Sequence, residues 1–234
     1  MGKERLDKYI ANQLGIPRSK ARTSVRRGLA AVNGNTVKDF GFLVDENADR
    51  VEFCGKEVVF KRFVYLMLNK PAGIITASTD KSRKTVLDLV PESLRRRGLA
   101  PVGRLDKDTT GLLILTDDGD FAHRCISPKS EIKKSYIAEI DGDIDGSIIN
   151  AFKNGVILAD GYACKPALLF DLGNRRVRII ITEGKYHQIK RMLGVFSLGV
   201  IHLHRESIGN IKLPDNLMPG EYIEVANMPE FIIC

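Results

Sequence analysis

No apolar run in the 234-residue sequence reaches the roughly 18 residues that a membrane-spanning helix needs. The N-terminus lacks the hydrophobic stretch of a signal peptide and enters charged, helix-like sequence at once, so a cytoplasmic chain, neither exported nor anchored, is expected. Cysteine is sparse: Cys54, Cys125, Cys164 and Cys234 are widely spaced and form no C-x-x-C pair, which argues against a disulfide framework or a zinc finger and suits reduced thiols. Internal repeats and low-complexity tracts are absent. With 44% hydrophobic and 28% charged residues the chain is an ordinary globular one, and its length suits two domains of unequal size.

The net charge of +7 is unevenly placed. Residues 1–38 hold nine Lys or Arg against only Glu4 and Asp7, while the rest of the chain holds 27 basic and 27 acidic side chains. The excess therefore belongs to the N-terminal segment and implies a polyanionic partner. In that segment Leu6, Tyr9, Ile10 and Leu14 recur at helical spacing before Gly15, and a second helix is expected after Pro17. There Arg18, Arg22 and Arg26 make a basic stripe beside an apolar one of Ala21, Val25 and Leu29. Strand, Asn33-Gly34 turn and strand follow as a hairpin, and residues 50–60 read as a further strand. By pattern alone a basic helix face suits a solvated surface as well as RNA. The order helix, basic helix, hairpin over residues 3–50 resembles the S4 RNA-binding module. That resemblance implies RNA contacts for Arg5, Arg18, Lys20, Arg22, Arg26 and Arg27, in a domain spanning residues 1–60.

From residue 61 onward the second domain alternates strands and helices. Strands are expected at residues 63–69, 111–116, 133–140, 167–172, 175–182 and 199–209, and helices at 85–97, 118–127, 145–155 and 187–197. Several strand pairs are joined too briefly for crossover helices, so the body is a sheet-centred α/β or α+β one with mixed strand directions.

The most unusual stretch is PVGRLDKDTTGLLILTDDG at 101–119, where a polar loop with Arg104, Asp106 and Asp108 runs into an apolar strand. The two aspartates suit turn capping, and a D-x-D pair also suits a divalent metal, although no third ligand is nearby. The run G-R-L-D-K-D-T-T-G-L-L-I-L-T resembles the signature of the RsuA-type ribosomal RNA pseudouridine synthases. Three further elements follow in that family's order: Asn69-Lys70-Pro71-Ala72-Gly73, Lys134-Ser135-Tyr136, and the stretch from Glu183 to Met192, EGKYHQIKRM. The resemblance extends over residues 63–225 and implies an α+β fold, a mixed, largely antiparallel sheet flanked by helices behind a small S4-like domain. It also implies roles: Asp106 as the catalytic carboxylate, Lys190 as its cationic partner, Tyr136 against the target uracil, and Arg104 against RNA around the displaced nucleotide. Without the motif, Tyr136 reads as a core aromatic and Lys190 and Arg191 as solvated. His187, His202 and His204 receive no role.

Isomerising uridine to pseudouridine moves the ribose from N1 to C5 of the same base, so no metal and no other cofactor is expected. One ionised carboxylate near C1′ is required, as nucleophile or base, and a nearby cation keeps it charged in a site sheltered from water. An aromatic wall retains the freed base, and extruding that base from RNA costs a few kcal/mol, which phosphate contacts offset. The sequence ends soon after Leu217-Met218-Pro219-Gly220-Glu221-Tyr222, without the basic tail of several large-subunit relatives. The expected substrate is therefore small-subunit 16S rRNA, at a uridine of the 516 type, handled by a monomer. The alternatives are a large-subunit synthase, a non-catalytic S4-type RNA-binding protein, and a metal-dependent phosphodiesterase using Asp106 and Asp108.

Overall fold

Leu6, Tyr9 and Ile10, three of the residues at helical spacing, are wholly shielded from solvent and begin the core of an N-terminal unit. The computed structural model describes residues 2–95, 98–127 and 129–226. The chain forms two compact units, Met1–Val64 with Val90–Leu99, and Tyr65–Leu89 with Ala100–Cys234.

In the first unit β1 (Lys3–Arg5) leads into α1 (Leu6–Leu14), which stops where Gly15 turns left-handed at φ 64°. α2 (Arg18–Arg26) packs against α1 through Ala21 and Val25. β2 (Ala30–Val32) and β3 (Asn35–Thr36) form the expected hairpin, and Asn33 and Gly34 both take the positive φ of its tight turn. β4 (Leu43–Asp45) pairs with β1. The single strand expected over 50–60 is instead a second hairpin, β5 (Val51–Phe53) with β6 (Lys56–Glu57), because Cys54 and Gly55 turn the chain at positive φ. Leu29 departs from the expected apolar stripe. α2 ends three residues before it, and its side chain is exposed.

The second unit contains β7 (Tyr65–Lys70), β8 (Ala100–Pro101), β9 (Thr110–Thr116), α3 (Gly119–Ile126), β10 (Lys134–Ile140) and α4 (Gly146–Asn154). It continues with β11 (Leu168–Asp171), β12 (Arg176–Ile181), α5 (Gln188–Gly194), β13 (Val200–Ile208), β14 (Ile211–Lys212) and β15 (Tyr222–Glu224). One sheet runs β11-β12-β10-β13-β9-β7-β15, with β8 on β9 and β14 on β13. Every described pair in it is antiparallel except β9 with β13, so the α+β expectation holds. Leu112 to Leu115 on β9 are all fully buried, as expected of a strand covered on both faces.

Gly111 makes the parallel contact possible. Its φ is 103°, and a Cβ there would meet the Arg205 carbonyl oxygen at 2.3 Å, so only glycine lets β9 approach β13 where the motif loop ends. The helix expected over 85–97 is absent from the described residues. Two short 3-10 turns, Val86–Leu89 and Glu92–Leu94, stand there instead, separated by Pro91, whose ring opposes a helical conformation at Val90 and which has no N–H to donate. Residues 96–97 of that expectation lie outside the described residues, as does Cys234.

Candidate active site

The loop from Val102 to Thr109, between β8 and β9, carries Arg104, Asp106 and Asp108, and buried anchors fix its backbone. The Thr76 hydroxyl donates to the Leu105 carbonyl at 2.8 Å and accepts from the Leu105 amide at 3.1 Å. Lys70, fully buried at the end of β7, sends its ammonium to the carbonyls of Thr109, Pro71 and Lys107 at 2.8, 3.1 and 3.2 Å. Burial draws its pKa down to about 8, against the pull of Asp108 and Asp106. The N-K-P-x-G element thus ties itself to the motif loop, and Gly73 adds a 2.8 Å bond from its amide to the Lys107 carbonyl.

Asp106 lines a cleft of about 640 Å³ together with Arg104, Tyr136 and His187. Its side chain is 28% exposed, with Oδ1 3.5 Å from His187 Nε2 and Oδ2 3.8 Å from Lys190 Nζ. The expected pairing of Lys190 with Asp106 is therefore a near contact. The direct hydrogen bonds of Lys190 go to Asp108, at 2.7 and 2.6 Å from its two oxygens, and draw the Asp108 carboxyl below its ordinary pKa. Asp108 is the more exposed carboxylate, so it reaches the lysine at less desolvation cost.

Tyr136 is 7% exposed on β10, between β12 and β13, and its ring still lines the cleft. Arg104 is exposed at the cleft's edge. The opposite wall is the EGKYHQIKRM stretch, organised by Glu183. That buried carboxylate accepts from the Lys165 amide at 2.9 Å, from Gln188 at 2.8 Å and from the Tyr162 hydroxyl at 2.8 Å. Gln188 in turn accepts from the Lys185 amide at 2.9 Å. The result is a tight bend in which His187 takes φ 49° and stacks on Tyr186, with ring centroids 3.8 Å apart, just before α5 delivers Lys190. Arg191, on the same helix, pairs with Asp160.

His187, Lys70, Thr76 and Arg205 stand at the site or support it without a role assigned from the sequence. His187 and Lys70 lie inside quoted motifs, whereas Thr76 and Arg205 carry no local signal. His202 and His204 stack 6.4 Å apart and share the Thr110 hydroxyl, and no group of three metal-ligating side chains occurs among the described residues. No described helix is long and apolar enough to cross a membrane.

In the N-terminal unit Arg5, Arg18 and Arg22 surround the fully buried Asp7 carboxylate at 3.4, 3.0 and 2.6 Å. The guanidinium groups of Arg5, Arg22 and Arg26 lie 5.4, 5.3 and 4.8 Å from the Phe40 ring centre. Four of the six basic residues implicated by the sequence thus form one cluster, and Lys20 and Arg27 are exposed on and beside α2.

The family model described as RNA pseudouridylate synthase matches residues 64–194, and that of the S4 domain matches residues 4–49. The chain is 40% identical over 226 residues to the RNA pseudouridine synthase YtzG of Bacillus subtilis, covering 94% of each. To Ribosomal small subunit pseudouridine synthase A of Escherichia coli it is 38% identical over 220 residues, 93% of this chain and 94% of that one. A crystal structure of a pseudouridylate synthase superposes with a TM-score of 0.66 at 34% identity, covering 94% of this chain and 95% of that one. An anchored motif loop, a cleft with an aspartate and a buried tyrosine, and similarity along nearly the whole chain converge: this chain belongs to the RsuA-type RNA pseudouridine synthases, with an S4 domain ahead of the synthase domain.

Proposed function

We propose that this enzyme isomerises one uridine of small-subunit ribosomal RNA, of the 516 type in 16S rRNA, to pseudouridine by a cofactor-free route that depends on Asp106. The observation that carries the reading is the placement of the Asp106 carboxylate in a cleft beside Tyr136, with Lys190 3.8 Å away. In that cleft the target base stacks against the tyrosine ring, and the carboxylate faces C1′ as nucleophile or base. Lys190 Nζ and His187 Nε2 stand 3.8 and 3.5 Å from its oxygens. Arg104, exposed at the cleft's edge, contacts the RNA around the extruded nucleotide.

Residues 1–60 act as the RNA-holding domain, through phosphate contacts of Arg5, Arg18, Lys20, Arg22, Arg26 and Arg27. The small-subunit reading is supported by relatives of nearly equal length that bear that name. The protein works as a cytoplasmic monomer on rRNA or on an assembly intermediate. Tritium release from rRNA labelled at uridine C5 tests the reading, because forming the C5 glycosidic bond expels that hydrogen. Release from small-subunit rRNA alone is expected. Release from large-subunit rRNA alone would transfer the assignment to the other subunit.

A further inference from the structure

Arg205 is a buried cation for which the motif residues leave no task. It sits on β13, 2% exposed, directly across the sheet from Tyr136 on β10, and it lines the same cleft as Asp106. Its Nε donates to the Leu112 carbonyl at 2.8 Å and its Nη1 to the Tyr136 hydroxyl at 3.5 Å, whereas Nη2 is enclosed and has no partner among the described residues. A guanidinium stays charged at any accessible pH, and an unused buried donor is costly unless a ligand receives it. Lys134 stands two residues before Tyr136 on the same face of β10 and brings a second cation to the cleft. Its ammonium donates to the Ile132 carbonyl at 3.2 Å, and burial, reinforced by repulsion from Arg205, draws its pKa to about 8. Ile75, Val102 and Ile208 add apolar wall. Two cations beside an aromatic ring and aliphatic side chains suit a flat ring bearing anionic oxygens.

We propose that Arg205, assisted by Lys134, binds a carbonyl oxygen of the detached uracil and stabilises the negative charge that the base carries while it turns. This rests on the reading of the Asp106 cleft given above. The C1′–N1 bond breaks with its electron pair passing to the base, whichever role Asp106 takes. The charge then spreads over N1 and the two carbonyl oxygens, and a buried, preorganised donor acts on it strongly. After rotation C5 bonds to C1′ as the Asp106 ester bond there breaks, or as the proton Asp106 took from the sugar returns; C5 then loses its proton and N1 gains one, which leaves a neutral ring. The guanidinium's fixed fork suits a planar acceptor, and its bond to Leu112 holds it still as the base moves.

The test couples protein and substrate changes. An rRNA fragment that the wild type modifies carries uridine, 2-thiouridine or 4-thiouridine at the target position, sulfur being the weaker acceptor. Single-turnover formation of the C-nucleoside is followed by chromatography of the digested RNA. Arg205→Met is expected to slow the uridine reaction by about 100-fold, the effect of removing one oxyanion donor, with partial recovery in Arg205→Lys. One of the two sulfur substitutions slows the wild type by roughly 10-fold, as loss of a charged hydrogen bond does, and adds no further loss in Arg205→Met. Arg205→Lys and Lys134→Met pass through the same cycle, so the coupling stays measurable even where Arg205→Met fails to fold. Multiplying losses with both thiouridines, or wild-type rates in Arg205→Met, overturn the proposal. Asp106→Asn is run in parallel: turnover by that variant overturns the reading of the cleft itself, and this proposal with it.

Discussion

Lys190 Nζ lies 2.6 Å from Asp108 Oδ2 and 3.8 Å from Asp106 Oδ2, so the ammonium beside the proposed catalytic carboxylate is held by a second one two residues along the chain. Asp108 sets where the positive charge sits, and Asp106 keeps an oxygen free of a direct lysine bond. Lys190→Met removes the cation whose hydrogen bonds hold the Asp108 carboxyl below its ordinary value, so the Asp108 pKa rises. The substitution also takes the positive charge from beside Asp106, and kcat is expected to fall by at least about 10-fold, with Lys190→Arg recovering part of it. Asp108→Asn should lower kcat by about 10-fold, some 1.4 kcal/mol, with RNA affinity little changed. A wild-type kcat in Lys190→Met would separate the lysine from the chemistry.

The arginine cluster of the first unit depends on Asp7. Burial raises the Asp7 pKa, but hydrogen bonds from Arg18 and Arg22 outweigh it and bring the value to about 2. A carboxyl depressed in the folded state contributes stability above its unfolded value near 3.8, and this is lost as pH falls toward 2. Asp7→Asn is expected to cost about 2 kcal/mol at neutral pH and to flatten the dependence of stability on pH between about 4 and 2. Urea unfolding at several pH values measures both. The freed arginines should also weaken RNA binding and reduce its salt dependence.

Thr76 bonds both the amide and the carbonyl of Leu105, the residue before Asp106. Thr76→Val keeps the shape and removes both bonds, leaving buried backbone groups unsatisfied at about 1 to 3 kcal/mol. A fall in kcat of at least about 10-fold with unchanged RNA affinity is expected, and Thr76→Ser should recover most of it. Equal losses in both quantities would indicate general misfolding.

Gly111→Ala tests the close approach of β9 and β13. A methyl group 2.3 Å from the Arg205 carbonyl oxygen must force the strands apart, on a backbone with φ 103° that alanine disfavours. A loss above about 3 kcal/mol is expected, read as a large drop in melting temperature. Wild-type stability in this variant would mean that the two strands have room to spare.

What was legible in the sequence was local. The apolar run at 112–115 announces a strand buried on both faces, and Asn33-Gly34 announces a tight hairpin, since both are dictated within a few residues. The apolar spacing over 85–97 does not make a helix because Pro91 forbids continuation whatever the period. The site was legible where motif residues supply its side chains, but not in its wiring. Lys190 and Asp108 are 82 residues apart, and only the folded chain shows that Asp108 takes the lysine's direct hydrogen bonds. Arg205 sits in an alternating strand, where an arginine reads as solvent-facing. Its burial depends on β10 and β9 flanking it on either side.

The most direct measurement is single-turnover tritium release from C5-labelled rRNA by wild type and Asp106→Asn, with RNA affinity measured alongside. The amide preserves shape while removing the charge and the nucleophilic oxygen, so release should fall below detection while the dissociation constant changes less than about twofold. Release by Asp106→Asn at a rate near the wild type's would contradict the assignment of the reaction to this carboxylate.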